Sequence, residues 1–118
     1  MNFEIIFPDP FKRKVKKLKK KYPHVKEDLA SLLERLEKGE IVGDPIPELL
    51  NKVYKVRCGS SDMKKGKSGG YRIIYYLELG DRVIYLLTMY SKARQENITT
   101  PAILEILKEL NLKKSDQT

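Results

Sequence analysis

The run Tyr71-Arg72-Ile73-Ile74-Tyr75-Tyr76-Leu77, then Gly80-Asp81, then Arg82-Val83-Ile84-Tyr85-Leu86-Leu87-Thr88-Met89-Tyr90 decides the fold. Both flanking runs are rich in aromatic and β-branched residues, which favour extended backbone. Gly80-Asp81 between them is a two-residue hairpin signal, because glycine tolerates the positive φ of such turns. The stretch therefore reads as two antiparallel strands. Upstream, Val53-Tyr54-Lys55-Val56-Arg57-Cys58 alternates with period two. Tyr54, Val56 and Cys58 take one face; Val53, Lys55 and Arg57 take the other. Lys55 and Arg57 thus share a face of a third strand. Phe3 to Phe7 gives a short first strand, stopped by Pro8 and Pro10.

Two helices lie between the first strand and the others. Phe11, Val15, Leu18 and Tyr22 recur at helical spacing and stop before Pro23; Val25, Leu29, Leu32, Leu33 and Leu36 form a second stripe that ends at Gly39. Residues 40–52 lack a sustained period and read as a loop with one helical turn at Pro47 to Asn51. After the strands, Thr100 is placed to cap and Pro101 to begin a helix with Ile103, Ile106, Leu107 and Leu110 on its apolar face. The order is β, α, α, β, β, β, α. This predicts an α+β fold with an N-terminal helical hairpin, a mainly antiparallel sheet of about four strands and a C-terminal helix.

The chain has 118 residues, 41% of them hydrophobic, and no apolar run approaches a membrane span of about 18 to 20 residues. One domain over residues 1–118 is expected, with no membrane association. The N-terminus shows no secretory signal, so the cytoplasm is the expected location. Net charge is +8. Between Phe11 and Tyr22 stand Lys12, Arg13, Lys14, Lys16, Lys17, Lys19, Lys20 and Lys21 with no acid, and the rest of the chain balances. A field so concentrated suits a polyanion, either nucleic acid or an acidic protein, although a solvated basic face is the plainer alternative.

The chain has one cysteine, Cys58, and one histidine, His24. This rules out an internal disulfide, a structural zinc site built from Cys and His, and a two-histidine nuclease mechanism. Neither metal nor cofactor is expected. Cys58 reads as a small core residue rather than a nucleophile. Gly66-Lys67-Ser68 matches the end of a phosphate-binding loop, but Ser61 stands where that pattern needs glycine, and a strand follows instead of a helix. The segment reads as a hairpin loop whose Lys64, Lys65 and Lys67 can reach phosphates.

Three stretches together resemble the RelE/HigB toxins of bacterial type II toxin-antitoxin systems, within the RelE/ParE superfamily. They are Tyr54-Lys55-Val56-Arg57, the segment from Lys67-Ser68-Gly69-Gly70 into Tyr71-Arg72-Ile73-Ile74-Tyr75, and Leu87-Thr88-Met89-Tyr90-Ser91-Lys92. The resemblance implies a small α+β toxin that enters the ribosomal decoding site and cleaves mRNA. It also implies a HigA- or RelB-like antitoxin as partner, beside the ribosome and mRNA. The family's basic pair on the second strand corresponds to Lys55 and Arg57, and its arginine at the start of the next strand to Arg72. The closest ungapped match sets Ala93 at a further arginine, with Lys92 and Arg94 on either side, and Thr99 at the family's C-terminal tyrosine. The general acid is therefore unassigned.

Cleavage by an attacking 2′-hydroxyl needs a proton acceptor, charge stabilisation at phosphorus and a proton for the departing 5′-oxygen. Lys55, beside Arg57 and Arg72, is the candidate base, since neighbouring cations disfavour its charged form. Arg57 and Arg72 are the candidate phosphate clamps, with Arg72 expected on an exposed strand face. Lys92 or Arg94 is the candidate to stabilise the leaving group. Lys16, Lys17, Lys20 and Lys21, with the loop lysines 64, 65 and 67, are the candidate ribosome or RNA contacts. The expectation is a metal-independent endoribonuclease. A ParE-like gyrase inhibitor without nuclease chemistry is the alternative on the same fold.

Overall fold

A computed structural model describes residues 2–49, 52–63, 69–95 and 97–112. Five strands form one sheet: β1 (Glu4–Ile6), β2 (Asp44–Pro45), β3 (Val53–Cys58), β4 (Tyr71–Glu78) and β5 (Val83–Ser91), in the spatial order β1-β5-β4-β3-β2. Three helices complete the fold: α1 (Asp9–Lys19), α2 (Val25–Glu37) and α3 (Thr100–Glu109). The expected α+β architecture is present, with one more strand than anticipated. β2 has two residues, too few to show a period, and it pairs Asp44 with Lys55 and Pro45 with Tyr54. All pairings are antiparallel except β1 with β5, which run parallel in the register Glu4 to Val83.

β4 is central and Tyr71 to Leu77 are all buried, which explains an apolar run with little alternation. On one face Tyr71, Ile73, Tyr75 and Leu77 meet Phe11, Val15, Val25, Leu29, Leu32 and Leu36 of the helical hairpin. On the other, Val53, Ile74, Tyr76 and Leu87 meet Ile103 and Leu107 of α3. The sheet is thus sandwiched between the hairpin and a single helix. Burying a side chain of this size contributes roughly 1.5 to 3 kcal/mol, so both apolar faces supply a substantial driving force for folding.

Local boundaries differ from the sequence reading in three places. The turn between β4 and β5 spans Leu79 to Arg82, four residues rather than two, with Arg82 at φ 54°. The cap of α3 is Thr99, whose hydroxyl accepts from Ala102 N at 3.3 Å, one residue before the expected Thr100. α1 starts at Asp9 and ends at Lys19, so Tyr22 reaches its buried position from the following turn. Pro10 fits the first helical turn because its missing N–H has no helical partner to lose. The turn at Pro47–Leu49 is a short 3-10 helix within the expected loop.

Two glycines have a steric reason to be there. Gly70 enters β4 at φ +81°, and a Cβ there would lie 2.5 Å from the Cys58 carbonyl oxygen. Gly43, at φ +96°, similarly lets the chain approach Lys55 O before β2. Only glycine permits both the left-handed conformation and the close approach. These contacts fix the β3 and β4 backbones that carry the basic side chains.

Candidate active site

The ladder between β3 and β4 places Arg57 directly opposite Arg72, and Lys55 opposite Ile74. β5 then sets Tyr90 opposite Arg72 and Thr88 opposite Ile74. Side chains opposite one another in a ladder share a face, so Lys55, Arg57, Arg72 and Tyr90 lie on the α3 side of the sheet. A bulge between Ile74 and Tyr75 shifts the later β5 register. The expected triplet is therefore brought together, and Tyr90 joins it.

Arg72 is not on an exposed face. It is 7% exposed, and its Nη1 donates to Tyr71 O at 3.3 Å and Gly69 O at 3.4 Å. The reason is its place on the central strand, between Arg57 on β3 and Tyr90 on β5. Arg57 is exposed at a stretch of β3 that β2 no longer covers, and it also borders a cleft along α2 with Glu27 and Arg35.

Lys55 Nζ donates to Asn97 Oδ1 at 3.1 Å. The same oxygen lies 3.4 Å from the Tyr90 hydroxyl and accepts Ile98 N at 2.9 Å. Gln95 Nε2 donates to the Asn97 carbonyl at 2.9 Å, which holds this residue from its other side. Lys55 and Asn97 also line a cleft of about 280 Å³ whose wall carries Asp44 and Glu48. Burial pushes the Tyr90 hydroxyl above the usual tyrosine range, and the Arg72 guanidinium draws it back. Sequence reading missed both Tyr90 and Asn97. Tyr90 resembled one more strand aromatic, and Asn97 lies in an aperiodic stretch.

The remaining candidates separate. Lys92 continues past β5, with its backbone N–H on Gly70 O at 3.0 Å. Arg94 is exposed and joins Lys14, Lys17 and Lys21 around a cleft of about 360 Å³ floored by Leu18, Tyr22 and Met89. Lys16 belongs to the opposite side of α1, where it rims an apolar groove with Lys12, Lys19 and Lys26. Lys20 is exposed and borders neither. Lys64, Lys65 and Lys67, and with them Gly66-Lys67-Ser68, lie outside the described residues. Tyr71 opens a strand, so no helix follows that motif.

Cys58 is 8% exposed and its thiol donates to Asp28 O at 3.2 Å. Burial pushes it up to about 11, the state of an inert core thiol. His24 is engaged with Asp62, donating its backbone N–H to Asp62 Oδ2 and placing Nδ1 2.8 Å from Asp62 Oδ1. Among the described residues no group of three or more His, Cys, Asp or Glu side chains could hold a metal ion, and no helix is long and apolar enough to cross a membrane.

Comparison with known proteins bears on the fold and the family. A structure of the E. coli toxin RelE, a double arginine-to-alanine mutant in the free state, superposes with a TM-score of 0.59 at 16% identity. The match covers 95% of this chain and 100% of that one, which shows a shared fold. No curated protein sequence matches. The model of the RelE toxin of the RelE/RelB toxin-antitoxin system matches residues 10–115, which include β3, β4, β5 and Asn97. With its basic strand face and sheet order, the chain belongs to the RelE toxin family, whose members are paired with an antitoxin.

Proposed function

We propose that this toxin, acting as one domain over residues 1–118, is a ribosome-dependent mRNA endoribonuclease of the cytoplasm. The observation that supports the reading is the convergence of Lys55, Arg57 and Arg72 on one sheet face beside Asn97. In this reaction the 2′-oxygen attacks the adjacent phosphorus, giving a 2′,3′-cyclic phosphate and a 5′-hydroxyl. Lys55 accepts the 2′ proton. Arg57 and Arg72 face each other across two strands and together offset the charge that builds on phosphorus, a task for which guanidinium groups are suited. Arg94, with Lys14, Lys17 and Lys21, holds a neighbouring part of the strand. A HigA- or RelB-like antitoxin neutralises the protein.

The ribosome supplies orientation. Aligning the 2′-oxygen in line with the scissile bond can contribute up to about 7 to 11 kcal/mol, enough to separate detectable from undetectable turnover. The test adds purified protein to programmed ribosomes and to the same mRNA alone. Cleavage confined to ribosomes, and surviving EDTA at levels that leave ribosomes assembled, is expected. Efficient degradation of naked RNA overturns ribosome dependence, and loss of activity on specific removal of a bound metal overturns metal independence. Inhibited supercoiling by gyrase with no mRNA cleavage selects the ParE-like alternative.

A further inference from the structure

We propose that Tyr90 donates the proton to the departing 5′-oxygen and that Asn97 positions it; the inference rests on the endoribonuclease reading above. That reaction needs an acid, and Lys55, Arg57 and Arg72 do not provide one. Guanidinium groups keep their protons, which excludes Arg57 and Arg72, and Lys55 is engaged as the base. Tyr90 stands opposite Arg72 with its hydroxyl 3.4 Å from Asn97 Oδ1. That is a long hydrogen bond, readily exchanged for a substrate oxygen.

Asn97 links the two ends of the reaction. Its Oδ1 contacts Lys55 Nζ and the Tyr90 hydroxyl, while Ile98 N and Gln95 Nε2 fix its side chain and its carbonyl. A single carboxamide oxygen therefore sets the spacing between proton acceptor and proton donor. The charge arrangement agrees: Arg72, on the neighbouring strand, favours the phenolate that donation leaves behind.

The step balances. The 2′ proton passes to Lys55 Nζ as the bond from the 2′-oxygen to phosphorus forms. The bond from phosphorus to the 5′-oxygen breaks, and that oxygen takes the Tyr90 hydroxyl proton. Lys55 is left protonated and Tyr90 deprotonated, and transfer of one proton between them through solvent restores the starting state.

The experiment is single-turnover cleavage on programmed ribosomes with two mRNAs, one normal and one carrying sulfur in place of the bridging 5′-oxygen at the cut. Sulfur leaves without protonation. Tyr90→Phe should slow the oxygen substrate by about a hundredfold or more, in the range of general acid catalysis, and the sulfur substrate by less than about threefold. Asn97→Ala should lower the oxygen rate with ribosome affinity unchanged, and Asn97→Asp, whose carboxylate would hold the proton on Lys55, should lower it too but recover as pH rises; a wild-type oxygen rate in Asn97→Ala overturns the positioning role. Equal slowing of both substrates by Tyr90→Phe, or no slowing, overturns the proposal. Should Tyr90→Phe fail to fold, Tyr90→3-fluorotyrosine keeps the shape with a more acidic hydroxyl. A rate change on the oxygen substrate alone then supports the role, and no change overturns it. A wild type that cleaves neither mRNA overturns the endoribonuclease reading itself, and this inference with it.

Discussion

On the function proposed above, Arg72 has two tasks, one in cleavage and one in holding the entry of its own strand. Its Nη1 is spent on two carbonyls of its own strand entry, which leaves the rest of the guanidinium to face Arg57 and Tyr90. Arg72→Ala should therefore lower ribosome-dependent cleavage by about a hundredfold, roughly 3 kcal/mol of transition-state stabilisation, and also lower stability by about 1 to 3 kcal/mol because two hydrogen bonds at the strand entry are lost. Cleavage assays and urea melts on the same preparation separate the two effects. Wild-type cleavage by a folded Arg72→Ala protein would remove Arg72 from the site. Lys55→Arg tests chemistry more sharply, because it keeps charge and abolishes the ability to accept a proton. Its cleavage rate should fall as far as that of Lys55→Ala; full activity would reduce Lys55 to an electrostatic role.

At the scale of elements, α1 and the turn that follows it have two basic sides that serve different neighbours. Lys17 and Lys21 line the cleft shared with Arg94, whereas Lys16 and Lys19 rim the apolar groove against α2. Replacing Lys17 and Lys21 by alanine should flatten the salt dependence of ribosome binding by about 0.7 to 0.9 units of log–log slope for each phosphate left without its cation. The Lys16 and Lys19 pair should leave that slope unchanged, and equal slopes for the two variants would show a single undivided basic surface. A second element-level tie joins α2 to the segment after β3. There His24 meets Asp62, with Glu27 and Asp28 nearby, while Asp28 also accepts from Ser61 N at 2.9 Å. The hydrogen bond to Asp62 raises His24 above its ordinary 6.5, and the same bond lowers Asp62 below 3.8. Stability from His24 is thus complete below 6.5 and lost as pH rises through its raised value; that from Asp62 is present above 3.8 and lost as pH falls through its lowered value. The melting-temperature difference between wild type and Asp62→Asn should be largest between those limits and shrink as pH rises through the raised His24 value. A difference that grows with pH would contradict the pairing.

Across the whole molecule, what the sequence disclosed depended on how local the signal was. Period-two alternation placed Lys55 and Arg57 on one face, and Gly-Gly-Tyr-Arg located the start of β4, because both are set by immediate neighbours. Asn97 could not be recognised in this way: its meeting with Lys55 depends on how the chain leaves β5 and returns to α3. The burial of Arg72 was equally hidden, since it follows from β4 being flanked on both sides. The topology also has a consequence in time. β1 pairs with β5, which is made after every other strand, and the apolar stripes of α1 and α2 find much of their cover on β4 and β5. Long-range closure of this kind must wait for the distant partner to exist. During its own synthesis the chain can form a helical hairpin but no assembled basic face, because Lys55, Arg72, Tyr90 and Asn97 enter the growing polypeptide one after another. On the function proposed above, a nascent toxin of this design cannot cut mRNA on the ribosome producing it before Asn97 has been added to β3, β4 and β5.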